Sequence, residues 1–264
     1  MNQKLLENEL ASLSLGGIRF FDVVGSTNDV AREWAEEGAA DSSLVIADTQ
    51  TKGRGRFGRR WVTEPGASLA ISLILRPTPF EVEMVSHFSP LGALAICEAL
   101  SKEFPLNPQI KWPNDVLLDR KKIAGLLVEM NWIGTRIQSL ILGIGINIAP
   151  TSVPPAAELL FPATCIETVL GHGIDRISIL RSVLSAIQWW RSRLFTDFFY
   201  QTWQNHLAFK GEKVRVAPDQ DTPGITGILT GLAPDGSLIL QGEDGKDVLI
   251  QVGEVHLRLA EDKP

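Results

Sequence analysis

The chain has 264 residues, enough for one large domain or for a main domain with a small appendage. Its 44% hydrophobic and 21% charged residues are those of a globular protein and exclude disordered and low-complexity classes. A net charge of −6 argues against a surface that grips nucleic acid throughout, and two distant cysteines, Cys97 and Cys165, exclude a disulfide framework or a cysteine zinc site.

The N-terminal stretch MNQKLLENEL lacks the apolar run of a signal peptide, and no segment approaches the ~18 uninterrupted apolar residues of a membrane span. A cytoplasmic location and no membrane contact are therefore expected. IRFFDVV (18–24) reads as a first strand. STNDVAREWAEEG (26–38) then gives a helix with Ser26 as its cap, Asp29 in the first turn, an apolar stripe of Val30, Ala31, Trp34 and Ala35, and Gly38 as its stop.

SLVIADTQ (43–50) is a second strand that runs into KGRGRFGRRW (52–61), where five basic side chains and three glycines share ten positions. Gly53, Gly55 and Gly58 spell GxGxxG, but the dinucleotide reading needs a helix next, and Pro65 and Gly66 oppose one. A sequence-tolerant RNA contact is a second reading, with Phe57 or Trp61 stacking on bases. A solvated charged loop is the third, although five close cations repel one another unless an anion is present.

SLAISLILRP (68–77) has the character of a buried strand, and residues 84–104 carry a helical pattern through Leu91, Leu94, Ala95 and Leu100. QIKW, DVLLD, KIAGLLVEMNW and RIQSLILGIGINI follow as strands joined by short polar turns, which favours antiparallel pairing. Residues 150–162 are a proline-rich loop, and one long helix is predicted over about 177–207, with Leu180, Val183, Leu184 and Ile187 on one face. From Gly211, short strands with turns at Pro234-Asp235-Gly236 and Asp244-Gly245 predict a small β barrel. The pattern predicts an α+β fold with domains at 1–208 and 209–264.

Three further segments carry chemistry. In KWPND (111–115), Lys111, Asn114 and Asp115 suit a phosphate, a hydrogen-bonding ligand edge and a cation, respectively. In KKIAGLLVE (121–129) and GIGINI (143–148), Gly125, Gly143 and Gly145 interrupt apolar strands, where glycine marks a bulge or a close approach to the backbone.

In chain order, STN, GRGRFGRRW, KWPND, KIAGLLVE and GIGIN resemble the biotin protein ligase family, strongly over residues 18–150 and more weakly in the C-terminal region. The resemblance implies a mixed, largely antiparallel sheet flanked by helices, of the class II aminoacyl-tRNA synthetase/biotin synthetase-like kind, with an SH3-like barrel after it. It also implies activation of biotin by ATP to biotinyl-5'-adenylate, with Mg2+, and transfer of biotin to a lysine of a biotin carboxyl carrier protein, as in acetyl-CoA carboxylase. Lys122, Arg54 and Arg56 would be catalytic. Ser26, Thr27, Asn28, Gln50, Gly53, Gly55, Gly125, Leu127, Gly143 and Gly145 would line the biotin side. Arg59, Trp61, Lys111, Asn114, Asp115, Asn147, Arg215 and Arg258 would lie on the ATP side with Arg56 and Lys122, and Asp115 would meet the metal. About 17 residues precede the first strand, too few for the DNA-binding domain of some family members, so a ligase without a DNA partner is expected. A homodimer through edge-strand pairing is a further expectation. A lipoate ligase-like acyl-adenylate enzyme and a noncatalytic nucleic-acid-binding module are the competing readings.

Overall fold

The structure, a computed structural model, describes residues 1–217 and 224–251 and, through its backbone, the strand at 256–259. Its elements run α1 (Gln3–Glu9), β1 (Gly17–Val24), α2 (Thr27–Glu36), β2 (Ser43–Gln50), β3 (Ser68–Leu75), α3 (Pro79–Val82), α4 (Phe88–Glu103), β4 (Gln109–Lys111), β5 (Asp115–Leu118), β6 (Lys121–Ile133) and β7 (Arg136–Asn147). There follow α5 (Ile166–Leu170), α6 (Arg176–Arg191), α7 (Asp197–His206), β8 (Lys213–Ala217), β9 (Ile225–Leu232), β10 (Leu238–Gln241), β11 (Asp247–Ile250) and β12 (His256–Leu259).

Seven strands form one sheet in the order β1-β2-β3-β7-β6-β5-β4. Only β1 and β2, joined through α2, are parallel, and the remaining neighbours are antiparallel; β4 to β7 follow one another through short turns, whereas β3 meets β7 across the stretch that carries α3, α4 and β4–β6. The α+β expectation therefore holds. The C-terminal strands make a separate five-stranded antiparallel sheet, β11-β10-β9-β8-β12, and both expected turns are present, with Gly236 and Gly245 at positive φ.

The period of two along the strands separates two faces. Leu69, Ile71, Leu73 and Leu75 of β3 and Leu140, Leu142, Ile144 and Ile146 of β7 point into the main core, where α4 is apolar on nearly every side because α6 covers its outer surface. On the opposite face, Val45, Ile74 and Ile141 receive Ala31 and Ala35 of α2. The Arg76 guanidinium fixes the end of α2 and the turn after it by donating to the carbonyls of Ala35 (2.6 Å) and Ala39 (2.9 Å).

The long helix predicted over 177–207 is two helices. The Thr196 hydroxyl accepts from Phe199 N and starts α7 afresh, after Ser192 and Thr196 have turned their hydroxyls back to the carbonyls of Trp189 and Arg193. The break lets Trp190 on one helix and Phe199 and Trp203 on the other all reach the core. Trp112 couples the two sheets by donating its buried indole N–H to Gly236 O at 3.0 Å, and Arg120 pairs with Glu212 through two bonds of 2.8 and 2.9 Å. Among the described residues, no helix is long and apolar enough to cross a membrane.

Gly92, inside α4, allows the helix to approach β6, since a Cβ there would collide with Leu126 Cδ2. Alanine would gain about 1 kcal/mol of helix propensity, whereas overpacking a tight core costs about 1–3 kcal/mol. Gly92→Ala is therefore expected to lower stability, read as a lower urea midpoint at an unchanged m-value; a raised midpoint would show that α4 does not press on β6.

Candidate active site

α2, the basic loop and one row of the large sheet converge on the sheet face opposite α4. Lys111, Asp115, Gly125, Gly145 and Ala70 are successive cross-strand partners across β4, β5, β6, β7 and β3, so they share that face. Three small residues make a floor beside two charged ones. The glycines are occupied by the protein's own side chains: a Cβ at Gly145 would collide with the Trp61 indole, and one at Gly143 with Asn28 Oδ1.

The STN motif is fixed by partners from three strands. Gln50 Oε1, at the end of β2, accepts from Thr27 N (2.7 Å) and Thr27 Oγ1 (2.9 Å). Gln50 thus does the capping expected of Ser26, which sits at the N-cap position without a side-chain cap bond and faces the cavity instead. Ser72 donates to Asn28 Oδ1 at 2.6 Å, and Asn28 Nδ2 donates to Glu129 at 2.7 Å. Both ends of the Asn28 amide are thereby oriented.

The basic loop folds back on itself, with Trp61 N bonded to Gly53 O and Gly55 N to Arg59 O. Arg54, expected to face the reacting anions, holds the loop to the body through Asp29 (2.7 Å) and both oxygens of Glu129 (3.2 Å). The Arg54 hydrogen bond holds the Asp29 carboxyl below its ordinary range, and the same bond raises Arg54. Arg56 and Arg59 reach inward. Burial pushes both guanidinium groups down in pKa, against the pull of Asp115.

Asp115 is the centre of the charged part of the site. It is buried, with Lys122 Nζ 2.6 Å from Oδ1 and Lys111 Nζ 3.5 Å from Oδ2. Burial alone would raise its pKa, but the two ammonium charges outweigh that and hold it below its ordinary value. The cations that the structure places on this carboxylate are the two lysines. Among the described residues there is no group of three or more His, Cys, Asp or Glu side chains suited to a metal; Mg2+ is ordinarily held by one or two carboxylates together with the phosphates of a substrate, and Asp115 would be the carboxylate here.

Two cavities adjoin this cluster. The first, about 120 Å³, is lined by Ser26, Thr27, Asn28, Gln50, Gly125, Leu127, Gly143 and Gly145, with Arg54, Gly55 and Arg56 of the loop. The second, about 340 Å³, is lined by Asn147 and by residues of the segment 152–163. Arg59, Arg60, Trp61, Lys111, Asp115 and Lys122 line both, so the two chambers share a cationic wall. The first is smaller than the roughly 300–1,000 Å³ of ordinary ligand pockets, so side chains of the loop must shift to admit a ligand.

Of the other expected residues, Asn114 lines the first cavity while its amide bonds Leu126 O, Asn147 bonds Thr164 O, and Gly53 supports Trp61 from outside the lining. Arg215 lies on β8, and neither it nor Arg258 is among the described residues lining the two cavities. Arg258 pairs with Arg215 in backbone register on β12, but its side chain lies outside the described residues. Sequence reasoning missed Ser72, Asp29, Glu129 and the segment 152–163. The alternation of β6, which puts Gly125, Leu127 and Glu129 on one face, was the signal for Glu129. Nothing in the local pattern announced that Lys122 N and O would bond Pro162 and Thr164, or that Lys111 would stand 4.8 Å from the Phe161 ring centre.

Residues 20–147 match the biotin/lipoate A/B protein ligase family. The chain is 34% identical over 235 residues to a biotin–acetyl-CoA-carboxylase ligase of Paracoccus denitrificans, covering 85% of this chain and 94% of that protein. It is 32% identical over 231 residues to the bifunctional ligase/repressor of Bacillus subtilis, covering 86% and 70%. The solved structure of Aquifex aeolicus biotin protein ligase in complex with biotin and ATP superposes with a TM-score of 0.79 at 31% identity, covering 92% of this chain and 99% of that one.

Two outcomes follow from the ion pairs. Glu129→Ala removes one anchor of Arg54 and one of Asn28, so trypsin should cut the loop at residues 52–60 faster than in the wild type; an unchanged rate would show that Glu129 does not hold it. Asp115→Asn leaves two lysines facing each other and should cost about 3 kcal/mol at pH 7, the low end for breaking a buried pair. Because the folded Asp115 carboxyl lies below its ordinary 3.8, its contribution is complete above that pH and lost as the pH falls through the depressed value. The gap in melting temperature between wild type and Asp115→Asn should therefore begin to narrow below pH 3.8 and go on narrowing as the pH falls, and a gap of constant size there would contradict the pairing.

Proposed function

The chain belongs to the biotin/lipoate A/B protein ligase family, and on that premise we propose that its two chambers divide biotin and ATP between them. The protein is a biotin protein ligase. It activates biotin with ATP and transfers it to a biotin-accepting carrier protein. An oxygen of the biotin carboxylate attacks the α-phosphorus, the bond to the β-phosphate oxygen breaks, and pyrophosphate leaves. The amine of an acceptor lysine then attacks the acyl carbon, the bond to AMP breaks, and an amide forms with loss of a proton.

The observation that carries the division is the cationic wall common to both chambers. Bringing a carboxylate to a phosphate forces two anions together, and each charge-assisted hydrogen bond from Lys122, Arg56 or Arg59 offsets about 1.5–3 kcal/mol of that cost. Lys122 stands between the chambers and is the group proposed to touch both reacting anions. The glycine floor and Leu127 suit the apolar ring and chain of biotin. The oriented amides and hydroxyls of Asn28, Thr27 and Gln50 suit its ureido end, which a dithiolane lacks; that difference favours biotin over lipoate. The second chamber, with Trp61 and Asn147, is assigned to the nucleotide.

Arg54 and the inward cations also argue against a nucleic-acid surface, because Arg54, Arg56 and Arg59 are partly buried, leaving Lys52 and Arg60 as the exposed cations of the loop, and Arg54 is already matched by two carboxylates. We take the acceptor to be the carrier subunit of acetyl-CoA carboxylase, and the β1 edge to be the route to a homodimer.

The reading is tested by biotin-dependent exchange of pyrophosphate into ATP, with lipoate as control. Exchange with biotin alone is expected, and exchange with lipoate alone would replace the assignment. Lys122→Ala should abolish exchange with the fold intact, and a normal rate would remove Lys122 from its role. Arg56→Gly should release the adenylate faster, whereas unchanged retention would count against the loop as a lid.

A further inference from the structure

The tip of the basic loop adopts a backbone that glycine favours, yet it carries an aromatic ring. Phe57 has φ 58° and ψ 39°, in the left-handed region, and Gly58 beside it has φ 70°. A Cβ in that region crowds its own backbone, so a ring kept there is held at the expense of local conformational energy. Strain of this kind persists where the side chain has a task.

The task is visible in what the ring faces. The Arg56 guanidinium carbon lies 4.9 Å from the Phe57 ring centre, and both residues line the first chamber. Phe57 keeps 47% of its surface exposed, whereas Arg56 is half-buried. The ring is thus the more exposed partner of this contact. A cation over an aromatic face is attracted by the ring quadrupole, and excluding water from one side strengthens its pull on an anion on the other.

We propose that Phe57 is a positioning residue that forms the outer wall of the Arg56 site, holding the guanidinium over the bound acyl-adenylate and keeping water from it. The assignment rests on the reading of the first chamber as the biotin side of an adenylate site. Phe57 touches Arg56 and not the reacting atoms, so its effect falls on retention of the intermediate more than on its formation.

The test separates those two quantities. Enzyme loaded with radiolabelled biotin and ATP is diluted into excess unlabelled biotin, the loss of bound adenylate is followed, and pyrophosphate exchange is measured alongside. Phe57→Ala should speed escape about fivefold, the size of one exposed cation–π contact, a larger factor than the accompanying fall in exchange. Phe57→Trp, which restores a ring over the guanidinium, should return escape to the wild-type rate. Unchanged escape in Phe57→Ala would overturn the proposal, as would equal leakage from Phe57→Trp. Fast escape from Phe57→Gly with normal retention in Phe57→Ala would assign the effect to the backbone and also overturn it. Failure of the wild type to exchange pyrophosphate at all would remove the adenylate reading, and Phe57's role with it; normal exchange with unchanged escape removes only the latter.

Discussion

One buried carboxylate, Asp115, holds two ammonium groups at the boundary of two cavities. Lysines packed beside inward arginines would repel one another in a dry site, and a carboxylate between them lets them stay charged and close. That arrangement depends on the register of the large sheet. Asp115 faces Lys111 across a turn, and Lys122 approaches from the mouth of β6, where the segment around Pro162 fastens it. A slip of one residue in β5 would turn Asp115 into the core and separate the cluster.

The floor of the site follows from the same rows. Gly125, Gly145 and Ala70 leave room above the sheet, and Trp61 lies in that room as the joint wall of both chambers. The loop that carries Trp61 is tied through Arg54 to α2 and β6 and left exposed at Phe57, so its root is anchored and its tip is open. A lid needs this combination: a fixed base that sets where the cations land, and a tip that can lift to admit a ligand.

Much of this was legible in the chain, for identifiable reasons. Apolar runs bounded by short polar turns made the strands of 109–148 evident, and those turns implied antiparallel order. Glycines inside apolar strands announced a close approach, although the approaching groups proved to be Trp61 and Asn28 of the protein itself. Helical periodicity over 177–207 could not reveal the break at 192–196, because hydroxyl back-bonds to the helix carbonyls interrupt the helix without disturbing the apolar pattern. Charge was the least legible property. Arg54 and Arg56 look alike in GRGRFGRRW and both line the first cavity, yet Arg54 is bonded to Asp29 and Glu129 whereas Arg56 feels the charge of Asp115, a difference set by residues up to 75 positions away.

The central claim is that Asp115 arranges the cations for the chemical step and does not bind the ring of biotin. Pyrophosphate exchange by Asp115→Asn across a range of biotin concentrations tests it most directly. The account predicts half-saturation within a few-fold of wild type and a maximal rate lower by about a hundredfold, the scale of losing one preorganised electrostatic group. A maximal rate equal to that of the wild type, with only the biotin requirement raised, would contradict it.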